Sequence, residues 1–467
     1  MNTVGSDGNL AQGFKPRHVT MLSIAGIIGA GLFVGSGHAI AAAGPATIIS
    51  YFVAGTLVVL VMRMLGEMAC AMPAVGSFYE YARLAWNDKP VGGELAGFLT
   101  GWMYWYFWVI VVAVEAVAGA NLIQFWLPDI PAWAISLVLL VVLTLTNLVS
   151  VASYGEFEFW FASIKVAAIV VFLFLGGLFV FGMWPGAVAG TGHLLSHGGF
   201  MPNGIGPVMS GAVAATGFYF GAEIVTIAAA EAAEPQQAVA RATNSVIGRV
   251  LFFYIGSILL VVMLVPWNSA GMATPYVSAL EAMRIPAAAH IMNAVVLTAV
   301  LSALNSGLYA SSRMLFALTR RGDAPRSLAK LNSRGVPVRA ILVGTLFGYA
   351  AVVMSYVSPD TVFAFLVNSY GTVAIFVYVL IAFSQLKLRK RLEREAPARL
   401  KIRMWGFPYL TWVAIIGMLS IVGAMAFIPD QRTPLALGVV SLTVLLVAFT
   451  VRSIWRKLRS PDPEFDI

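Results

Sequence analysis

Apolar runs of about 20 residues, cut by proline, glycine or charge, recur along the whole chain and leave it few ways to fold. A membrane-crossing helix needs ~20 mostly apolar residues, because hydrocarbon offers no partner for unpaired backbone polar groups. Twelve such runs are expected, at about 18–42, 46–70, 97–124, 131–150, 157–182, 205–231, 244–266, 289–318, 338–357, 361–384, 405–428 and 434–455. Of the 467 residues 60% are hydrophobic and 11% are charged. A soluble protein carries about 25% charged residues, so a soluble enzyme of this size is excluded. The fold class expected is an all-α integral membrane protein with 12 transmembrane helices.

The lysines and arginines orient these helices. Twenty-five of the 29 fall in segments on the side of the two termini, chiefly 313–339, 387–403 and the C-terminal end. Arg284 and Arg432 fall on the other side, and Arg63 and Lys165 fall inside spans. The positive-inside rule therefore puts both termini in the cytoplasm. The same count accounts for the net charge of +8 without a nucleic-acid partner, since no basic module interleaved with aromatics is present. The first 17 residues are polar and read as a cytoplasmic tail, not a cleaved signal. Cys70 is the only cysteine, so no internal disulfide or cysteine metal site is expected. His193 and His197 have metal-compatible spacing in a Gly-rich loop but lack the glutamate of a HExxH site. No metal and no cofactor are expected.

Two spans are irregular. The first contains Gly26-Ile-Ile-Gly29-Ala-Gly31-Leu-Phe-Val-Gly35-Ser-Gly37. Glycine costs about 1 kcal/mol per interior helix position relative to alanine. Such a cluster implies an opened backbone or, alternatively, close helix packing through pairs such as Gly31 and Gly35. The sixth span holds Thr216-Gly217-Phe218-Tyr219-Phe220-Gly221-Ala222-Glu223, with a carboxylate in mid-span. Intramembrane ionisable groups are costly and point to function. The two irregular spans lie five apart, as they would in a repeat of five plus five helices. Paired interruptions of this kind point to a transporter site at the midplane. An odd repeat must insert its halves with opposite orientation. The organisation expected is a tail over 1–17, a first repeat over 18–182 and an inverted second repeat over 183–384. A loop with two further helices over 385–457 and a tail over 458–467 complete it.

Several stretches carry a resemblance that covers almost the whole chain. They are Gly26–Gly35, Gly76-Ser-Phe-Tyr-Glu-Tyr81, Gly101-Trp-Met-Tyr-Trp-Tyr-Phe-Trp108, Tyr154-Gly-Glu-Phe-Glu-Phe-Trp160 and Leu304-Asn-Ser-Gly-Leu-Tyr-Ala-Ser-Ser-Arg313. The chain resembles the bacterial amino acid permeases of the amino acid–polyamine–organocation (APC) superfamily. Within them it is most similar to the 4-aminobutyrate (GABA) permeases, through Arg17–Gly26, Phe200–Gly204, Gly221–Glu231 and Arg241–Ile247. The segment 86–96 departs from the family pattern by an insertion. The resemblance implies a LeuT-type fold, a place in the bacterial inner membrane and proton-coupled uptake of an amino acid. Alternatives are a permease for proline, phenylalanine or a basic amino acid, or a channel or transport-like receptor. No serine elbow, phosphate loop or paired-carboxylate spacing marks an enzyme.

The expected site follows from backbone chemistry. Freed N–H groups at a half-helix N-terminus attract a carboxylate. Amides around Ile28, Gly29, Ala30 and Gly31 are expected to receive the substrate carboxylate. Carbonyls near Ala25, Gly26 and Phe218 are expected to receive its amine. Phe218, Tyr219 and Phe220 are either an outer wall or ordinary packing. Lys165 lies about 12 Å into its span by helical rise, where burial disfavours the ammonium and makes it a candidate proton carrier. The alternative is snorkelling toward the cytoplasm. The resemblance implies that Lys165 stands against the broken first helix, where sodium-coupled relatives hold their ion, which makes sodium coupling the weaker expectation. Glu223, counted with the substrate-binding residues, is assigned mainly to the second break, and Glu115 to proton or substrate contact. Asn305 and Ser306 are either polar packing or substrate-facing. Arg63 and Glu67, four apart, are expected to pair locally.

Overall fold

The computed structural model describes residues 10, 13–26, 28–29, 31–74, 76–88, 90–184, 192–232 and 234–459. Most of the two tails expected over 1–17 and 458–467 lies outside them. In chain order the helices are α1 (Pro16–Ala25), α2 (Ser36–Ala43), α3 (Thr47–Ala71), α4 (Phe78–Ala85), α5 (Pro90–Gln124), α6 (Ala132–Val149), α7 (Val151–Val180) and α8 (Ile205–Phe218). They continue as α9 (Ile224–Ala228), α10 (Pro235–Leu264), α11 (Pro275–Ala282), α12 (Ala288–Arg320), α13 (Val338–Val357), α14 (Pro359–Glu395), α15 (Tyr409–Met425) and α16 (Pro429–Arg459). No β-strand occurs among the described residues, only an isolated bridge between Phe14 and Ala232.

Among the described residues each of the twelve expected apolar stretches contains helix, but two are interrupted and the ends differ. α5, α10 and α14 begin or end well beyond their apolar windows. Each starts at a proline, which lacks the N–H that a first-turn residue leaves unpaired anyway. Helix ends here follow capping chemistry, and the apolar window marks only the part suited to lipid. Among the described residues seven helical segments are long and apolar enough to cross a membrane, and four shorter apolar helices accompany them.

α5 and α12 pack most extensively on each other and form the centre. α1 lies on α7 and α10, α2 on α8, and α14 on α5. Buried rings such as Tyr104, Phe107, Trp108 and Tyr309 fill this interior. The outer helices expose their apolar side chains: Val138 and Val142 on α6, Phe174 on α7, Val444 and Val447 on α16. In water such a belt would aggregate. In a bilayer it is the surface expected.

Two short helices were not expected. α4 fills the loop after α3, held where Ser77 Oγ lies 2.8 Å from Thr226 Oγ1. α11 lies on the opposite side and packs against α10 and α12. Of the divergent 86–96 segment, residues 86–88 turn and 90–96 open α5; Lys387 Nζ reaches Asp88 and lies 3.9 Å from the Trp86 ring centre.

Candidate functional site

Both irregular spans break where their glycines lie. α1 ends at Ala25, and regular α-helix resumes at Ser36 after a wide π-helical turn over Gly31–Gly35. α8 ends at Phe218, residues 219–223 turn, and α9 starts at Ile224. Ala30 lies outside the described residues.

The two breaks meet backbone to backbone. A Cβ added to Gly26 would lie 2.4 Å from the Gly221 carbonyl oxygen, and one added to Gly221 would lie 2.1 Å from that of Gly26. Gly221 also has φ +118°, a region that glycine alone adopts readily. Glycine is thus required here twice over. Gly31 and Gly35 serve differently. A Cβ on either would strike the Phe218 ring at 2.4 Å. Opening and close packing therefore both occur in the first cluster, at different glycines. Gly29 and Gly217 border open space among the described residues, none of which has an atom within 4 Å of an added Cβ.

Phe218, Tyr219 and Phe220 part company. Phe218 covers Gly31 and Gly35, and its carbonyl accepts a bond from the Tyr254 hydroxyl at 3.2 Å. Tyr219 turns toward α3, donating to the Tyr51 carbonyl at 3.2 Å. Phe220 enters an aromatic cluster, 4.2 Å from the Phe107 ring centre and 4.7 Å from that of Tyr378.

Glu223 is fully buried at the second break. Its Oε2 accepts from the Gly221 amide at 2.9 Å and from the Tyr378 hydroxyl at 3.0 Å. The carboxylate thus satisfies a backbone donor freed where the helix unwinds and ties the turn to α14. Its Oε1 is buried without a hydrogen-bond partner among the described residues.

Lys165 does not snorkel. It is fully buried on α7, and its ammonium donates to the Ile28 carbonyl at 2.8 Å and to Ser302 Oγ at 2.9 Å. One side chain therefore joins the first break, α7 and α12. Glu115 on α5 is in electrostatic reach of Lys165, with Oε2 buried and without a hydrogen-bond partner among the described residues.

Glu158, Glu231 and Arg313 carry weight that the sequence alone does not assign. Glu158 is fully buried and accepts from Ser302 Oγ and, at 3.2 Å, from Asn305 Nδ2. Asn305 in turn accepts from Asn147 at 2.8 Å. Arg313, counted above with a loop, is buried in α12 and pairs with Glu231 at 2.9 Å. Two periodicities could have marked these groups. Glu158 and Lys165 are seven apart, two turns along one helix face. Ser302, Asn305, Ser306, Tyr309 and Arg313 follow a spacing of three and four.

The expected Arg63–Glu67 pair gives way to longer contacts. Glu67 pairs with Arg389 of α14 and accepts from Gln385 at 2.8 Å. Arg63 donates to the Arg403 carbonyl at 2.8 Å and lies over the Trp405 ring. Among the described residues no group of three or more His, Cys, Asp or Glu could hold a metal.

A site built this way presents opened backbone beside open space and a lysine on the break. That suits a small zwitterion. Comparison with known proteins agrees. The family model described as amino acid permease matches residues 18–462. The gamma-aminobutyric acid permease of Bacillus subtilis is 53% identical over 448 residues, covering 96% of this chain and 94% of that protein. The gamma-aminobutyric acid permease of Escherichia coli is 47% identical over 457 residues, covering 96% and 97%. Two solved transporters share the fold at low identity. A mutant of the Eremococcus coleocola manganese transporter superposes with a TM-score of 0.55 at 12% identity, covering 98% of each chain. Mhp1, a nucleobase-cation-symport-1 family transporter, gives 0.55 at 14% identity, covering 96% and 97%. The fold is that of the LeuT-type transporters.

Proposed function

The chain belongs to the amino acid permease family, and from that premise we propose that it imports 4-aminobutyrate, or a close analogue, together with a proton. Import proceeds by alternating access around the two broken helices. The permeases of Bacillus subtilis and Escherichia coli, at 53% and 47% identity, support the substrate. 4-Aminobutyrate carries a carboxylate, an ammonium and no side chain. Amides and carbonyls at the two breaks can receive both ends without dedicated charged residues.

The observation that carries the coupling is the Lys165 ammonium on the Ile28 carbonyl. Charged, Lys165 holds the first break to α7 and α12 by charge-assisted bonds. Neutral, it holds them more weakly. Closure around substrate thereby depends on a proton, and Lys165 supplies the positive charge at that junction in place of sodium. Glu115 is its electrostatic partner on α5. The protein sits in the bacterial inner membrane with both termini in the cytoplasm, the side carrying most of its basic residues. The reading includes no enzymatic step, no cofactor besides the proton and no metal.

Labelled 4-aminobutyrate is expected to accumulate in proteoliposomes under an imposed proton gradient without sodium. Proline, phenylalanine and lysine are expected to compete weakly. Accumulation that needs sodium, or ignores the gradient, removes the coupling. Stronger competition by another amino acid removes the substrate assignment. Substrate-independent current under voltage supports the channel alternative.

A further inference from the structure

Beyond Lys165 a line of buried polar groups follows the seam between α7 and α12 toward the side of the termini. Ser302 Oγ accepts from Lys165 Nζ at 2.9 Å and donates its own hydrogen to Glu158 Oε1. Lys165, Ser302, Glu158 and Asn305 are all essentially without solvent exposure. Next along the seam, the Tyr154 hydroxyl lies 3.4 Å from Ser306 Oγ. Tyr154 stacks on Tyr309, with ring centres 4.4 Å apart and planes 7° from parallel. Tyr309 donates to Glu231, which pairs with Arg313.

A buried carboxylate seven residues before a buried lysine is costly unless it is paired or used. Salt-bridge distance is not what joins the two. The hydroxyl of Ser302 does, and its direction is set: it receives from nitrogen and gives to oxygen. We propose that Glu158 is the next proton acceptor after Lys165 on the cytoplasmic side, reached through Ser302. This inference rests on the proton-coupled reading above.

The step balances. A Lys165 N–H bond breaks as that proton joins the Ser302 oxygen. The Ser302 O–H bond breaks as its proton joins Glu158 Oε1. An ammonium and a carboxylate become an amine and a carboxylic acid, and Ser302 is regenerated with its hydrogen turned round. Lys165 then relaxes its hold on Ile28, which lets the first break move. Asn305, donating to Glu158 Oε2, fixes the carboxylate with Oε1 toward the serine. Other charged or titratable groups facing the pair are Glu115 on α5, Tyr154 one turn before Glu158, and Glu231 with Arg313 beyond. By helical rise the backbones of Glu158 and Lys165 lie about 10 Å apart along α7, but the side chains converge on Ser302, so the relay spans only two hydrogen bonds.

The test compares substrate exchange with gradient-driven accumulation of labelled 4-aminobutyrate in proteoliposomes, for Glu158→Gln, Ser302→Ala, Ser302→Thr and Lys165→Ala. Exchange returns the carrier loaded and needs no proton release. The relay predicts that Glu158→Gln and Ser302→Ala keep exchange while net gradient-driven accumulation is lost. Ser302→Thr, which restores the hydroxyl, is expected to regain accumulation. Purely structural damage lowers exchange and accumulation together, and that pattern in both Glu158→Gln and Ser302→Ala counts against the relay. If Lys165→Ala alone loses accumulation while Glu158→Gln and Ser302→Ala accumulate normally, the relay is wrong and the parent reading stands. A wild-type protein indifferent to the gradient overturns both.

Discussion

Replacing Gly221 by alanine tests whether the two breaks work as a single backbone contact. The added Cβ would lie 2.1 Å from the Gly26 carbonyl oxygen and 2.8 Å from its carbon, where real Cβ atoms stay beyond 3.0 Å. The two breaks must therefore part by about 1 Å. Neither opposing atom belongs to a flexible side chain, so no rotamer change relieves the clash. In addition, φ at this position is +118°, and holding a residue with a side chain in such a region costs roughly 1–3 kcal/mol. That corresponds to about a 5- to 150-fold loss in the population of the apposed state. Exchange of labelled 4-aminobutyrate should fall by a factor in that range, with a lowered melting temperature. Gly26→Ala has only the steric part, 2.4 Å to the Gly221 oxygen, and should fall less. The double variant should cost less than the sum, because both changes strain one contact. Gly177→Ala on α7 is the control, since an added Cβ there meets nothing within 4 Å among the described residues. It should match or exceed wild-type stability. A Gly221→Ala protein with wild-type melting and exchange would refute the argument.

Other expectations follow from the same geometry. Arg313→Ala leaves Glu231 charged and buried, and should destabilise by about 3–5 kcal/mol; Arg313→Met with Glu231→Gln should recover much of that in thermal unfolding. Gly31→Ala should slow exchange because its Cβ meets the Phe218 ring at 2.4 Å. Adding Phe218→Ala should restore exchange in part, and absence of any rescue would show that the ring is not what Gly31 makes room for. Glu67→Gln removes the buried one of the two carboxylates paired with Arg389, leaving Glu393, and should lower melting while sparing the ratio of accumulation to exchange; a selective loss of accumulation would contradict a structural role.

The helices and both breaks were legible because their causes are local. Apolar length marks a span, and glycine in mid-span marks an unwound turn whatever surrounds it. Lys165 was legible for a similar reason: a lysine among apolar neighbours must be paired or must escape to water. Its partners were not legible. Ile28 and Ser302 each lie 137 residues away along the chain, and only the packing of α1, α7 and α12 selects them. Glu158 sat in a recognised motif but gained meaning only through Ser302. Arg313 was misread because positive charge near a span end usually faces water. Here α12 continues to Arg320, and Glu231 from the end of the sixth span, the second of the two that break, makes burial tolerable. The Arg63–Glu67 expectation failed on the same ground. Local spacing allowed the pair, but Arg389 from α14 offered Glu67 a more buried partner.

The most direct test of the account measures proton movement and substrate movement together. Proteoliposomes holding a pH-sensitive dye, with no gradient and no sodium, would receive 4-aminobutyrate outside while internal pH and labelled substrate are followed. In wild type the interior is expected to acidify as substrate enters, and Lys165→Ala is expected to move substrate without acidification. Entry of substrate with no change in internal pH, or acidification undiminished in Lys165→Ala, would contradict that expectation.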